Sequence, residues 1–454
     1  MPKNVDKILA ELNAGATELS RVEYLGSGPF GPSLSVERYR LGNGLEILHC
    51  EDKSAPVVAF HTWYHVGSRH EVTGKTGLAH LFEHLMFNET ENLKAGEFDR
   101  KLEEAGAESN AGTWLDWTNY HVAIPKGQLG LVVRLEAERM SRLVVRDPQV
   151  ASEKEVVANE RRYRVEDDVE SAVSEILWAT AFTTHAYHWP TIGWMQDIEA
   201  FSTADCVDFY KTYYAPNNAT LVVAGDASAK TLLRLVQEAY GSLPSSNVPA
   251  EDVRPEPAQT EERRREVHKP TATQKLCVGY KSPALGDFDH VAMSVLIEVL
   301  FGGRASRLHQ KLVRDLELAS EVRAFVGPFR DPSLTEIFCV ARGEHSAEEL
   351  LAALDAELAR VREEPIADAE IERARARFEL SLLAGLETAD GKASTIGFFD
   401  TVLGRPAAAF ERLDAVRRMG PSDLRRVARR YLTDSTRTLV FVRPSAQATQ
   451  EAAE

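Results

Sequence analysis

Apolar residues recur along this chain in two rhythms. Short runs rich in apolar, β-branched and aromatic residues have strand length and strand composition: Leu45–Cys50, Val57–Gly67, Leu221–Gly225, Lys275–Tyr280 and Leu439–Val442. Longer stretches keep apolar positions three and four apart and predict helices over Leu78–Phe87, Leu129–Arg142, 151–162, His290–Phe301, Ala347–Arg362 and Asp368–Leu386. Within 151–162, Val156 and Val157 are expected to turn to the core, while Glu155, Arg161 and Arg162 are expected to face solvent. Strand-like runs alternating with long helices predict an α/β fold, an α+β sandwich of sheets covered by helices.

The chain tells this story twice. Residues 246–270 hold Pro249, Pro255, Pro257 and Pro270 among charged residues with little apolar periodicity, which predicts a linker. The expected division is an extension over 1–35, a first half over 36–245, the linker, and a second half over 271–454. In each half a strand leads through a loop into an apolar helix. Aligning Phe87 with Phe301 sets Ser294, Ile297 and Glu298 opposite His80, Glu83 and His84.

Composition narrows the classes. At 454 residues the chain exceeds one simple core, and 44% apolar with 27% charged residues describes a globular protein. A net charge of −16 argues against nucleic acid as a partner. The one dense basic run, Arg263-Arg264-Arg265, is flanked by Glu261, Glu262 and Glu266 and reads as a solvated helix or linker. Cys50, Cys206, Cys277 and Cys339 are too scattered for a disulfide framework or a C-x-x-C site, so buried thiols in a reducing compartment are expected. Met1–Ile8 places charges where a signal peptide needs an apolar core, and no run has the length of a membrane span. A cytoplasmic protein is the expectation.

The candidate chemistry sits in the Leu78–Phe87 helix, where His80, Glu83 and His84 spell H-x-x-E-H, the inverzincin order. Residues four apart share a helix face, so both imidazoles can meet one metal ion, with Glu83 beside it as a proton acceptor. Three ionisable groups in an apolar stretch need partners, and a metal supplies one. Downstream, Glu153 and Glu160 are seven residues apart and share a face. One of them can be the third ligand while the other supports the ligands from behind. The cluster His185-Ala186-Tyr187-His188 offers further imidazoles, which a completed three-ligand set does not need.

These residues resemble the pitrilysin (insulinase-type) family of zinc metallopeptidases, and within it the mitochondrial-processing-peptidase-like members. Glu160 stands 76 positions after His84, the family's spacing for its third ligand, and Glu153 stands where the family has a second glutamate. Ser109 to Tyr120 looks like the family's N-A-x-T-x-x-x-T-x-Y edge-strand segment, and Thr191–Trp194, Asp197-Ile198, Tyr214–Ala219 and Gly225-Asp226 follow as later landmarks in order.

The resemblance implies two similar sandwich halves, each a mostly antiparallel sheet with helices on one face. It implies one zinc per chain on His80, His84 and Glu160, with Glu83 as general base and Glu153 supporting the ligands. It also implies a peptide substrate added as a strand near Asn110 and Ala111. The second half repeats the first without the ligands. Active relatives also use an Arg and a Tyr from the second half. Here Arg314 fits the first, but Ser320 or Glu321 occupies the tyrosine position. That departure points to a two-chain enzyme in which a homologous metal-free subunit completes the site, the alternative being a homodimer. The expected activity is hydrolysis of peptides or unfolded segments; the rival is a non-catalytic scaffold subunit of the same fold.

Overall fold

The computed structural model describes residues 3–251 and 254–445. Its strands fall into two sheets. The first has seven strands: β1 (Val22–Phe30), β2 (Leu34–Leu41), β3 (Glu46–Glu51), β4 (Val57–Tyr64), β5 (Glu108–Thr113), β6 (Thr118–Pro125) and β7 (Ala219–Gly225). The second has five: β8 (Arg263–Lys269), β9 (Lys275–Ser282), β10 (Ala319–Val326), β11 (Ser333–Ala341) and β12 (Arg437–Pro444).

The spatial orders show the duplication directly. In the first sheet, β3-β7-β4-β6-β5 follow β1-β2; the second reads β8-β12-β9-β11-β10. Replacing each of β3 to β7 by the strand five places later turns one order into the other. The pairings match too: β3 with β7 and β8 with β12 are parallel, and all other neighbours are antiparallel. The protein is thus a mixed α/β chain of two similar, mostly antiparallel sheets covered by helices.

Contacts divide the chain into two units that interleave in sequence. One comprises Met1–Ala158, Thr191–Asp252 and Leu382–Phe410; the other comprises Asn159–Pro190, Val253–Ser381 and Glu411–Glu454. The interleaving has a packing cause. Central strands β4 and β7 are buried on both faces, as near-continuous apolar runs require. One face meets the main helical layer. The other meets helix Ala389–Leu403, whose Ala393 and Ile396 join Ala59, Trp63, Val222 and Ala224 in a separate cluster. Gly397 allows this approach, since a Cβ there would lie 2.0 Å from Trp63 Nε1. In the other unit, helix Val169–Ala181 packs against the second sheet, with Leu177 over Gly279. Helices therefore cover both faces, not one.

One expectation from the sequence needs correction. Residues 22–30 of the expected N-terminal extension form the edge strand β1, paired with β2. The expected linker contains β8, whose basic run is an edge strand: Arg263 Nη1 donates to the carbonyls of Thr180 and Ala181, and Arg264 lies 4.5 Å above the Phe441 ring. An edge strand can afford this polarity because charge discourages further pairing.

The second unit carries a buried imidazole with a pH signature. His290 Nε2 donates to the Gly327 carbonyl at 3.0 Å, and Nδ1 accepts from Arg412 at 2.9 Å. Burial, with the Arg412 charge beside it, pulls this ring from 6.5 to about 3. A ring neutral in the fold but charged when unfolded stabilises the fold above the unfolded value and loses that contribution as pH falls towards the folded one. Acid unfolding followed by circular dichroism should therefore show stability declining between about pH 6.5 and 3, and His290→Gln should reduce that slope. An identical slope in the variant would remove His290 from the account.

Candidate metal centre

The helix that carries His80, Glu83 and His84 spans Leu78–Leu85 and is held at its start by Glu71, from the loop just before it, and Asp197, from helix Met195–Ala200. Gly77 N–H donates to Glu71 Oε2 at 2.8 Å and Ala79 N–H to Glu71 Oε1 at 2.7 Å. Thr76 donates to Asp197 Oδ2 from its backbone (3.1 Å) and its hydroxyl (2.6 Å). A carboxylate at this end satisfies open N–H groups and complements the helix dipole. Burial pushes the Glu71 carboxyl well above the usual range, against the pull of those N–H donors. Gly77 has φ 91°, and a Cβ there would lie 2.4 Å from the Ile192 carbonyl oxygen, so only glycine fits.

Packing sets the helix's rotation. Leu78, Ala79, Leu81, Phe82 and Leu85 are buried, with Phe82 stacked on Tyr210 at 5.7 Å and tilted against Tyr214 at 4.7 Å. His80, Glu83 and His84 are left half-buried on the opposite side, the two imidazole centroids 4.9 Å apart. Helix Asp147–Arg161 runs unbroken past them and supplies both glutamates. Donor atoms of His80, His84 and Glu160 all lie within 4.8 Å of one another, the one such trio found among the described residues. Glu160 Oε1 also pairs with Arg164 at 2.9 Å.

Glu153 stands behind the trio. Its Oε2 lies 3.6 Å from His84 Nδ1, and its Oε1 accepts from Asn88 at 2.9 Å. His84, assisted by Asn88, holds this carboxyl below its usual range against burial. A carboxylate at one imidazole nitrogen orients the ring and raises the basicity of the other. Glu153→Ala is accordingly expected to weaken zinc binding about 10–100-fold, measured by competition with a chelating dye. Unchanged affinity would leave Glu153 as a bystander.

Two buried tyrosines lie within electrostatic reach of Glu83. The hydroxyls of Tyr120 and Tyr214 are 3.3 Å apart and buried, and Arg139 lies 4.3 Å over the Tyr120 ring. Burial pushes both hydroxyls up, with the Glu83 charge adding to the shift. Glu71, Asp197 and Asn88 were not visible as site residues in the sequence. Asn88 follows His84 by four residues and so carried a spacing signal; Glu71 lies in the loop before the helix, and Asp197, seen only as a landmark, lies in the short helix Met195–Ala200.

The remaining candidates fall in separate places. Among the described residues β5 pairs only with β6, and no strand covers its other edge. Asn110 is exposed there, its Oδ1 accepting from the Ala111 N–H at 2.9 Å, while Ala111 packs against the core. Arg314 is exposed in the other unit and pairs with Asp315 at 2.8 Å. His185 and His188 are structural: His185 Nε2 meets Asp331 at 3.1 Å, and His188 Nδ1 donates to the Phe182 carbonyl at 2.7 Å. At the positions matching the ligands in the second half, Ser294 donates to its own helix, Ile297 is buried and Glu298 pairs with Arg377. Two side chains differ from expectation. Val156 is exposed while Val157 is buried, and Arg161 is buried in a bidentate pair with Glu175 at 2.8 and 2.9 Å.

Two family models match in tandem: "Insulinase (Peptidase family M16)" over residues 47–193 and "Peptidase M16 inactive domain" over 200–378. The zinc protease PqqE of Helicobacter pylori is 32% identical over 417 residues, which cover 90% of this chain and 93% of that protein. This chain belongs to the insulinase (M16) peptidase family. A crystal structure of a protease from Helicobacter pylori superposes with a TM-score of 0.86 at 31% identity, over 90% of this chain and 99% of that one. A probable mitochondrial-processing peptidase subunit beta of Arabidopsis thaliana is 25% identical over 89% of this chain and 77% of its own. The donor set fits zinc, since two imidazoles and one carboxylate are ligand types that zinc takes. All four cysteines are buried and unbridged, and no helix among the described residues is long and apolar enough to cross a membrane.

Proposed function

We propose that this M16 family member is a zinc-dependent endopeptidase hydrolysing peptides or unfolded polypeptide segments. The observation that carries the reading is the convergence of His80, His84 and Glu160 beside Glu83. His80, His84 and Glu160 would hold one zinc ion per chain. Bound there, zinc supplies Lewis acidity that polarises a carbonyl and brings the pKa of water towards neutrality. Glu83 takes a proton from the attacking water at a carboxylate oxygen and then delivers it to the leaving amine nitrogen. Glu153 keeps the His84 ring aligned.

The peptide backbone is bound as an added strand on the open edge of β5. The Ala111 N–H, now capped by Asn110, becomes a donor for a substrate carbonyl when that side chain turns away. Arg314 contributes from the second half. Ser320 and Glu321 stand where active relatives carry a tyrosine, so a homologous metal-free chain completes the enzyme as a heterodimer. Its buried, unbridged thiols suit a cytoplasmic setting.

The test is hydrolysis of a mixed peptide library by the zinc-loaded chain, alone and with candidate homologous chains from the same genome. Chelator-sensitive cleavage that needs the partner supports the whole reading. Full activity alone removes the partner, and silence in both conditions supports the scaffold role instead.

A further inference from the structure

Glu160 and Arg161 are neighbours in the last turn of helix Asp147–Arg161 but meet different surroundings. Glu160 joins His80 and His84. The Arg161 guanidinium is buried and forked on the Glu175 carboxylate, Nη1 to Oε2 at 2.9 Å and Nη2 to Oε1 at 2.8 Å. Glu175 belongs to helix Val169–Ala181. In that helix Ser174 Oγ and Trp178 Nε1, four residues apart, both donate to Glu336 Oε2 of β11, at 2.9 and 3.0 Å. β11 is an interior strand between β9 and β10. The end of the same helix is held by Arg263 and Lys281, which donate to the Ala181 carbonyl. Glu160, Arg161, Glu175 and Glu336 all lie within one unit. Two features single out the fork. The α-helix gives way to the π-helical segment over Arg162–Glu166 directly after Arg161, so Glu160 stands where the backbone hydrogen-bond pattern changes. The other arginine on Glu160, Arg164, has a side chain 70% exposed, and an exposed pair fixes little.

We propose that Arg161 and Glu175 are positioning residues for the zinc-ligand candidate Glu160. The fork ties the last turn of the Glu160 helix to helix Val169–Ala181, and Glu336 ties that helix to the second sheet. A buried ion pair adds little net stability over apolar residues of the same volume. A bidentate guanidinium–carboxylate pair, by contrast, fixes both the position and the rotation of what it joins. With the backbone at Arg161 held, the neighbouring carboxylate keeps less freedom, and less ordering entropy remains to be lost when a metal binds. A lysine at this place would keep the charge and lose the fork. This inference rests on the zinc-binding part of the reading above and not on the substrate.

The test compares Arg161→Lys with the double variant Arg161→Met/Glu175→Leu, which removes both charges together and leaves neither buried alone. Zinc affinity is measured by competition with a chelating dye, and folding by thermal unfolding of the metal-free chain. The visible absorption of the cobalt(II)-substituted chain reports the geometry around the metal, which a merely structural role would leave unchanged. Both variants should unfold, metal-free, close to wild type, bind zinc about tenfold more weakly, and show an altered cobalt spectrum. Wild-type affinity and spectrum in the double variant would overturn the proposal. A double variant that no longer folds without metal would do so too, by making the pair structural. Weakened binding in the double variant but not in Arg161→Lys would assign the effect to charge and defeat the fork. Zinc bound by wild type with no peptide cleaved defeats the peptidase reading alone, and the tenfold difference then still supports the positioning role. A wild-type chain that takes up no zinc defeats both.

Discussion

Glu83→Gln is expected to bind one zinc per chain as wild type does and to lose peptide hydrolysis by about 10²–10⁴-fold. The substitution keeps the shape and volume of the side chain but removes its ability to accept a proton. It leaves the ligand candidates His80, His84 and Glu160 in place, held by contacts that do not involve Glu83: the Glu71 cap on the Leu78–Leu85 helix, Glu153 on His84, and the core residues Val150 and Val157 under the Glu160 helix. Zinc content by elemental analysis and kcat/KM on a cleaved library peptide read the two properties separately. Loss of zinc together with activity would mean that Glu83 belongs to the ligand set, and retention of activity would assign the proton transfer to another group.

Glu160→Ala, like His80→Ala, should lower zinc affinity by far more than the 10–100-fold expected for a supporting residue, and activity should fall with it. The fold should survive. The Asp147–Arg161 helix remains anchored by Val150, Val157 and the Arg161–Glu175 pair. Thermal unfolding of the metal-free variant should therefore match that of chelator-treated wild type, while only wild type gains stability on adding zinc. A variant that unfolds before zinc is added would show Glu160 to be structural.

The parts of this centre that the sequence revealed are those set by local periodicity. The Leu78–Phe87 run could only be a helix with one polar side, and a seven-residue spacing put Glu153 and Glu160 on one face. The central strands were legible because burial on both faces leaves continuous apolar runs. Edge elements were not. β8 is charged because, among the described residues, no further strand pairs with its outer edge, and its pairing with β12 comes from a segment some 170 residues away. Adjacent Val156 and Val157 could each have faced the core, since periodicity tolerates either; packing against Val150's flank decided for Val157. Arg161 looked solvated because charge usually is, but Glu175 lies one loop further on and takes it inside. Of the carboxylates that hold the helix start, Asp197 comes from some 120 residues away, and Glu71 caps it from a loop without regular periodicity.

The most direct test of the central claim is zinc K-edge X-ray absorption of the purified chain with its metal content measured in parallel. The account predicts one zinc per chain, surrounded by two imidazole nitrogens and light oxygen donors at about 2.0–2.2 Å. A sulfur scatterer at about 2.3 Å, or a chain that binds no zinc with His80, His84 and Glu160 intact, would contradict it.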